Sequence, residues 1–139
     1  MKRIALPLLV LVPLVVAAVA SSAGPKTTLV GDCVHGQVKP GKVIFTCADG
    51  TFYATGLSWT HWGSRKAHAS GTAHFNNCKP SCAQGHFKRY AIDLTASHRR
   101  TCAHGNRAYG RVRYAFPHKS PFAAGSPQAR HPVVSFPCR

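Results

Sequence analysis

The chain has 139 residues, with 18 Lys and Arg, nine His and only three acids, giving a formal net charge of +15 with His neutral. The acids are Asp32, Asp49 and Asp93, and Glu is absent. This argues against a paired-carboxylate glycosidase and excludes an EF-hand, whose loop needs clustered acids and a bidentate Glu. The length fits one domain, and 45% hydrophobic residues with six Cys set the chain apart from disordered sequences.

Targeting signals come first in the chain. Lys2 and Arg3 precede an apolar run from Ile4 to Ala20, and small residues follow in Ala18-Val19-Ala20 and Ser21-Ser22-Ala23. A basic start, an apolar centre and a small-residue end predict a secretory signal peptide over residues 1–23, cleaved after Ala20 or Ala23. An uncleaved anchor suits the run less well, because it is short for a span and contains Pro7 and Pro13. Asp32 directly before Cys33 does not suit a lipidation box, and the C-terminal residues form no apolar anchor. The expectation is a secreted, extracellular protein with no integral membrane span after cleavage. The chain from Gly24 onward keeps 16 basic side chains against three carboxylates.

All six Cys (Cys33, Cys47, Cys78, Cys82, Cys102, Cys138) follow that segment. An even count in a small secreted chain predicts a disulfide framework. Cys78-Lys79-Pro80-Ser81-Cys82 supplies the best local pair, since a Pro-containing loop brings its two Cα atoms within bridging range. For the other four, Cys33–Cys47 with Cys102–Cys138 and Cys33–Cys138 with Cys47–Cys102 both remain open.

Gly and Pro punctuate the chain at short intervals, and no long 3.6-residue period occurs. Lys42 to Cys47 is β-branched and aromatic on both faces, as in a buried strand, and Asp49-Gly50 is a hairpin signal. Thr51 to Trp59 reads as the next strand, with Tyr53, Leu57 and Trp59 on one face. Lys66 to Asn76 alternates without a slip. Its odd positions are small or apolar (Ala67, Ala69, Gly71, Ala73, Phe75) and its even positions polar, which argues a half-buried strand. Phe87 to Ser97 follows with Tyr90, Ile92 and Leu94 facing in. Arg107 to Phe116 is then expected to turn Gly110, Val112, Tyr114 and Phe116 inward. The fold class expected is all-β: a small disulfide-stabilised sandwich or partly open barrel of about five to seven short antiparallel strands. Residues 24–116 form one β-rich domain in this reading. Residues 117–139 form a Pro-rich arm, tied back by Cys138 and containing a short edge strand at Val133 to Phe136.

The words CADGTFYATGLSWTHWG and SGTAHFNNCKPSCAQGHF, followed by the Tyr90 strand ending near Cys102, together resemble a group of short secreted actinobacterial proteins of unknown function. The likeness spans roughly residues 44 to 116. It implies secretion and one compact domain and brings no activity with it; Cys33 and Cys138 lie outside it.

The sharpest candidate site is the strand at Arg107. Arg107, Tyr109, Arg111 and Arg113 all fall on odd positions and are expected on one exposed face, with alternate residues about 6.7 Å apart. That spacing is comparable to the phosphate repeat of an extended polyanion. Arg presents a planar fork of donors to phosphate, and Tyr109 is placed to stack on a base or sugar. Lys88-Arg89 and Arg99-Arg100 would enlarge the field, and Asp93 would offset Arg113 across the hairpin by ~0.2–1 kcal/mol. The bland alternative is a solvated sheet face with Arg for solubility. Of the two Trp in Trp59-Thr60-His61-Trp62-Gly63, Trp59 is expected in the core and Trp62 at the surface as a stacking candidate.

No metal ligand set, cofactor or catalytic residue is assigned. Cys78, Cys82 and His86 have a superficial zinc spacing, but an oxidising compartment favours the disulfide. His68 and His74 stand about 20 Å apart along one strand. His98 and His104 flank the Cys102 loop, and two His with a cation are the minimum for ribonuclease-type chemistry. No nucleophile elbow occurs. The leading expectation is therefore a non-enzymatic secreted module binding an anionic polymer or cell-envelope component: nucleic acid, teichoic acid or acidic polysaccharide. The alternatives are a small His-dependent ribonuclease and a structural envelope protein with no specific ligand.

Overall fold

The strict alternation of Ala67, Ala69 and Ala73 with polar residues builds the centre of the sheet. The structure, a computed structural model, describes residues 24–139. The expected signal peptide over residues 1–23 lies outside the described residues. Among them are seven strands: β1 (Thr27–Thr28), β2 (Lys42–Ile44), β3 (Phe52–Thr60), β4 (Ala67–Asn76), β5 (Phe87–Thr101), β6 (Arg107–Ala115) and β7 (Val133–Ser135). A 3-10 turn spans Ala103–Gly105, and a one-turn helix, α1, spans Pro127–Arg130. The strands form one sheet in the order β1-β6-β5-β4-β3-β2, with β7 also on β6. The sheet curls into a half-barrel, so the fold is all-β and, of the two architectures expected, the partly open barrel. The pairs from β2 to β7 are antiparallel. The short β1 differs from the expectation, running parallel to the start of β6.

Small residues on β4 allow its neighbours to close in. Ala67, Ala69 and Ala73 are buried. A Cβ on Gly71 would stand 2.6 Å from the Thr55 carbonyl oxygen and 2.9 Å from Leu57 Cδ2. Only glycine leaves that space for β3. Ile92, Leu94 and Ala96 of β5 and Val112 and Tyr114 of β6 line the same core, as the sequence predicts. Around Phe52 the core is aromatic. The rings of Phe45, Phe75, Tyr114, Phe116 and Phe122 lie 4.5 to 6.4 Å from that of Phe52, within the range for favourable ring pairs.

β3 departs from the expected alternation. Gly56 takes φ +63°, and the register against β4 shifts between Thr55 and Ser58. The bulge inserts a residue and exchanges the faces. Phe52 and Ala54 point into the core before it, and Leu57 and Trp59 after it. Tyr53, expected beside Leu57 and Trp59, is instead on the outer face, stacked on His74 at 4.7 Å with Lys42 Nζ 4.6 Å from its ring centre. β2 is shorter than Lys42 to Cys47. Past Ile44, Thr46 Oγ1 accepts the Phe52 N–H, and Asp49 accepts the Thr51 N–H and hydroxyl to close the turn.

Three disulfides join Cys33–Cys47, Cys78–Cys82 and Cys102–Cys138. The last holds the C-terminal segment against β6, where β7 pairs at Arg111 to Arg113 and Phe136 is buried in the core. Phe122 packs against the same core.

Candidate anion-binding groove

The β4–β5 register assembles the principal site. Ala67 lies opposite Ala96, so the turn before Ala67 sits beside the residues after Ala96. Ser64, Arg65 and Lys66 from the turn, with Ser97, His98, Arg99 and Arg100 from β5, line an open groove of about 1010 Å³. Four permanent cations and two hydroxyls face it, and no carboxylate does. Arg65, Lys66 and Arg100 are exposed and Arg99 is half-buried. Arg100 Nη2 donates to the Phe136 carbonyl at 3.1 Å, which fixes one guanidinium against the C-terminal segment.

The groove owes its shape to a second exchange of faces. Ser97 pairs with Arg111 and Arg99 with Tyr109 in one unchanged register, while His98, at φ +60°, and Gly110 between them are unpaired. Tyr109 is therefore buried in the core with Val112 and Tyr114, although all three cannot share a face in an unbroken alternation. This corrects the expected stripe. Arg111 and Arg113 are exposed, opposite Ser97 and Thr95. Arg107 is exposed beyond that unpaired position, opposite Thr101 and beside Thr27 of β1. Tyr109 has no accessible ring for a ligand. Its hydroxyl accepts the Gly63 N–H at 2.9 Å and donates to the Ser64 carbonyl at 2.8 Å. Burial pushes its phenol pKa up, and Gly63 and Arg99 oppose that.

Trp62 is also corrected. Its indole N–H donates to the Thr27 carbonyl at 3.0 Å, and its ring meets Trp59 and Tyr109 edge-on at 4.9 and 5.2 Å. It packs against the core and fastens the turn. Trp59, as expected, packs there too, donating to the Pro40 carbonyl.

A second groove, of about 480 Å³, lies near the start of β5, lined by Lys88, Arg89, Tyr90, Ala91, His118 and Lys119. The three acids are occupied elsewhere. Asp32 accepts from the backbone of His35 and Val34 and from the His35 ring. Those bonds, the His35 backbone first, lower its pKa to about 2. Asp49 is lowered by the Thr51 backbone and hydroxyl bonds. Asp93 accepts from Ser70 at 2.7 Å and forms no ion pair with Arg113. Among the described residues the only ion pair is His35 with Asp32, so the groove cations are uncompensated by carboxylates.

His98 lines the larger groove and His104 does not. No group of three His, Cys or Asp side chains suited to a metal forms among the described residues. Sequence reasoning missed Arg65 and Lys66 as site residues. The available signal was their adjacency in a hairpin turn, which the register carries to Arg99 and Arg100. Comparison of the chain with family models, curated proteins and solved structures finds no match.

Proposed function

We propose that the chain is a secreted, non-enzymatic module that holds an anionic polymer in the groove of Arg65, Lys66, Arg99 and Arg100. Arg111 and Arg113 extend the contact over the outer face. The observation that carries this reading is the convergence of four cations from two separate segments with no carboxylate among the lining residues. Guanidinium groups without a carboxylate partner offer forked donors to phosphate, sulfate or carboxylate, and a positive cleft of this kind concentrates anions. Secretion is supported by the signal-like residues 1–23 and by three disulfides.

The experiment is retention of the oxidised protein on immobilised RNA, teichoic acid and an acidic polysaccharide across a salt series, against an unrelated protein of equal charge. Stronger retention than the control on one ligand identifies the polymer. Elution with the control on all three overturns the reading.

A further inference from the structure

β5 is a 15-residue strand, but its two neighbours cover it unequally. β4 pairs with it from Phe87 to Ala96, whereas β6 begins only at Asp93, opposite Ala115. Phe87 to Ile92 therefore has a strand on one side only. Extending the β5–β6 register places Pro117 opposite Ala91. Proline has no N–H to give to the ladder, and β6 ends just before it.

The free side carries unpaired backbone groups. The His86 carbonyl accepts the Asn77 N–H, so in antiparallel alternation the even residues of β5 bond toward β4. The odd residues, Arg89 and Ala91, turn their N–H and C=O to the open side. The smaller groove occupies this place, between Lys88 to Ala91 and the departing His118 and Lys119.

We propose that this edge docks an extended acidic peptide of another protein, which adds as a strand beside β5. Main-chain bonds to Arg89 and Ala91 would supply pairing, as in other strand-addition complexes. Charge selects the occupant. A second copy would set Lys88 and Arg89 against their own kind, which is unfavourable across a strand pair. In antiparallel pairing the peptide places acids opposite Lys88 and Arg89 and apolar residues opposite Phe87, Tyr90 and Ala91. Phe87 is 46% exposed and offers its ring to such a residue. The expected core sequence is apolar-apolar-acid-acid-apolar. This inference is independent of the larger groove.

The test uses the unaltered oxidised protein and the capped peptide Val-Val-Glu-Glu-Val, followed by amide NMR and hydrogen exchange. The Arg89 and Ala91 amides should shift and become protected. A peptide of the same charge, N-methylated at the positions facing β5, should bind about tenfold more weakly or less. Equal binding of the N-methylated peptide would mean that charge alone acts and would overturn the proposal. Absence of protection at Arg89 and Ala91, or no binding at millimolar peptide, would overturn it as well.

Discussion

Tyr109 holds Ser64: the phenol on β6 donates to the Ser64 carbonyl at 2.8 Å, across 45 residues of chain. It also accepts the Gly63 N–H. One buried hydroxyl thus pins the turn that carries Arg65 and Lys66 into the groove. Tyr109→Phe keeps the ring and the charge but leaves the Gly63 donor and the Ser64 acceptor without this partner. We expect a loss of about 1–3 kcal/mol in urea unfolding and weaker polyanion binding at constant net charge. Unchanged stability and affinity would show that the turn is held by its other contacts.

Gly71 sits against the Thr55–Leu57 bulge of β3. Gly71→Ala would press a methyl group onto the Thr55 carbonyl and Leu57, with an expected cost of about 1–3 kcal/mol. Gly41→Ala meets nothing within 4 Å and should change stability by no more than about 0.5 kcal/mol. Paired denaturant curves of the two variants check the contrast.

The Cys102–Cys138 bridge closes a loop of sequence separation 36. Replacing both with Ala should cost about 2–4 kcal/mol. The Phe136 N–H, which donates to the Gly110 carbonyl at 2.9 Å, should then exchange faster with solvent. Faster exchange at Phe136 without a comparable effect at Ile92 would locate the loosening in the C-terminal segment. Equal acceleration at both would contradict that.

His74 is stacked under Tyr53 and bonded to Thr55 Oγ1. Burial, then Arg89 and Lys42, hold its pKa below the usual value of 6.5. The neutral ring is the form the fold favours. Its stability contribution is therefore present above the unfolded pKa and is lost as pH falls through the folded value. Asp32, lowered to about 2, loses its contribution in a more acidic window, between about pH 4 and pH 2, and Asp49, also lowered, loses its own as pH falls below the usual carboxylate range. Thermal midpoints of the wild type and His74→Gln should differ less at about pH 5 than at pH 7.5. A constant difference would remove His74 as the source.

β4 was readable because its own alternation has no slip: of the inward residues named from the sequence, Ala67, Ala69 and Ala73 are buried, Phe75 packs against the core and Gly71 is half-buried. β3 and β6 misled for one reason. A bulge at Gly56 and the unpaired position of His98 and Gly110 each exchange the faces, which turned Tyr53 outward and Tyr109 inward. A glycine inside a strand is the only local hint of such an irregularity. Cys78–Cys82 was legible because both residues lie in one short loop. The remaining pairs and the groove depend on which strands lie side by side, and a sequence without a known register does not contain that. Trp62 was misplaced because its anchor, the Thr27 carbonyl, belongs to a strand too short to leave a pattern.

The most direct test of the anion-binding account is the salt dependence of polymer binding by Arg99→Ala/Arg100→Ala, compared with Lys26→Ala/Arg130→Ala, which removes equal charge from exposed positions lining neither groove. Each phosphate neutralised contributes about 0.7–0.9 to the slope of log affinity against log salt. The groove variant should lose up to about 2 from that slope, and the control should lose almost none. Equal losses in the two variants would contradict the account, showing that net charge and not the groove holds the polymer.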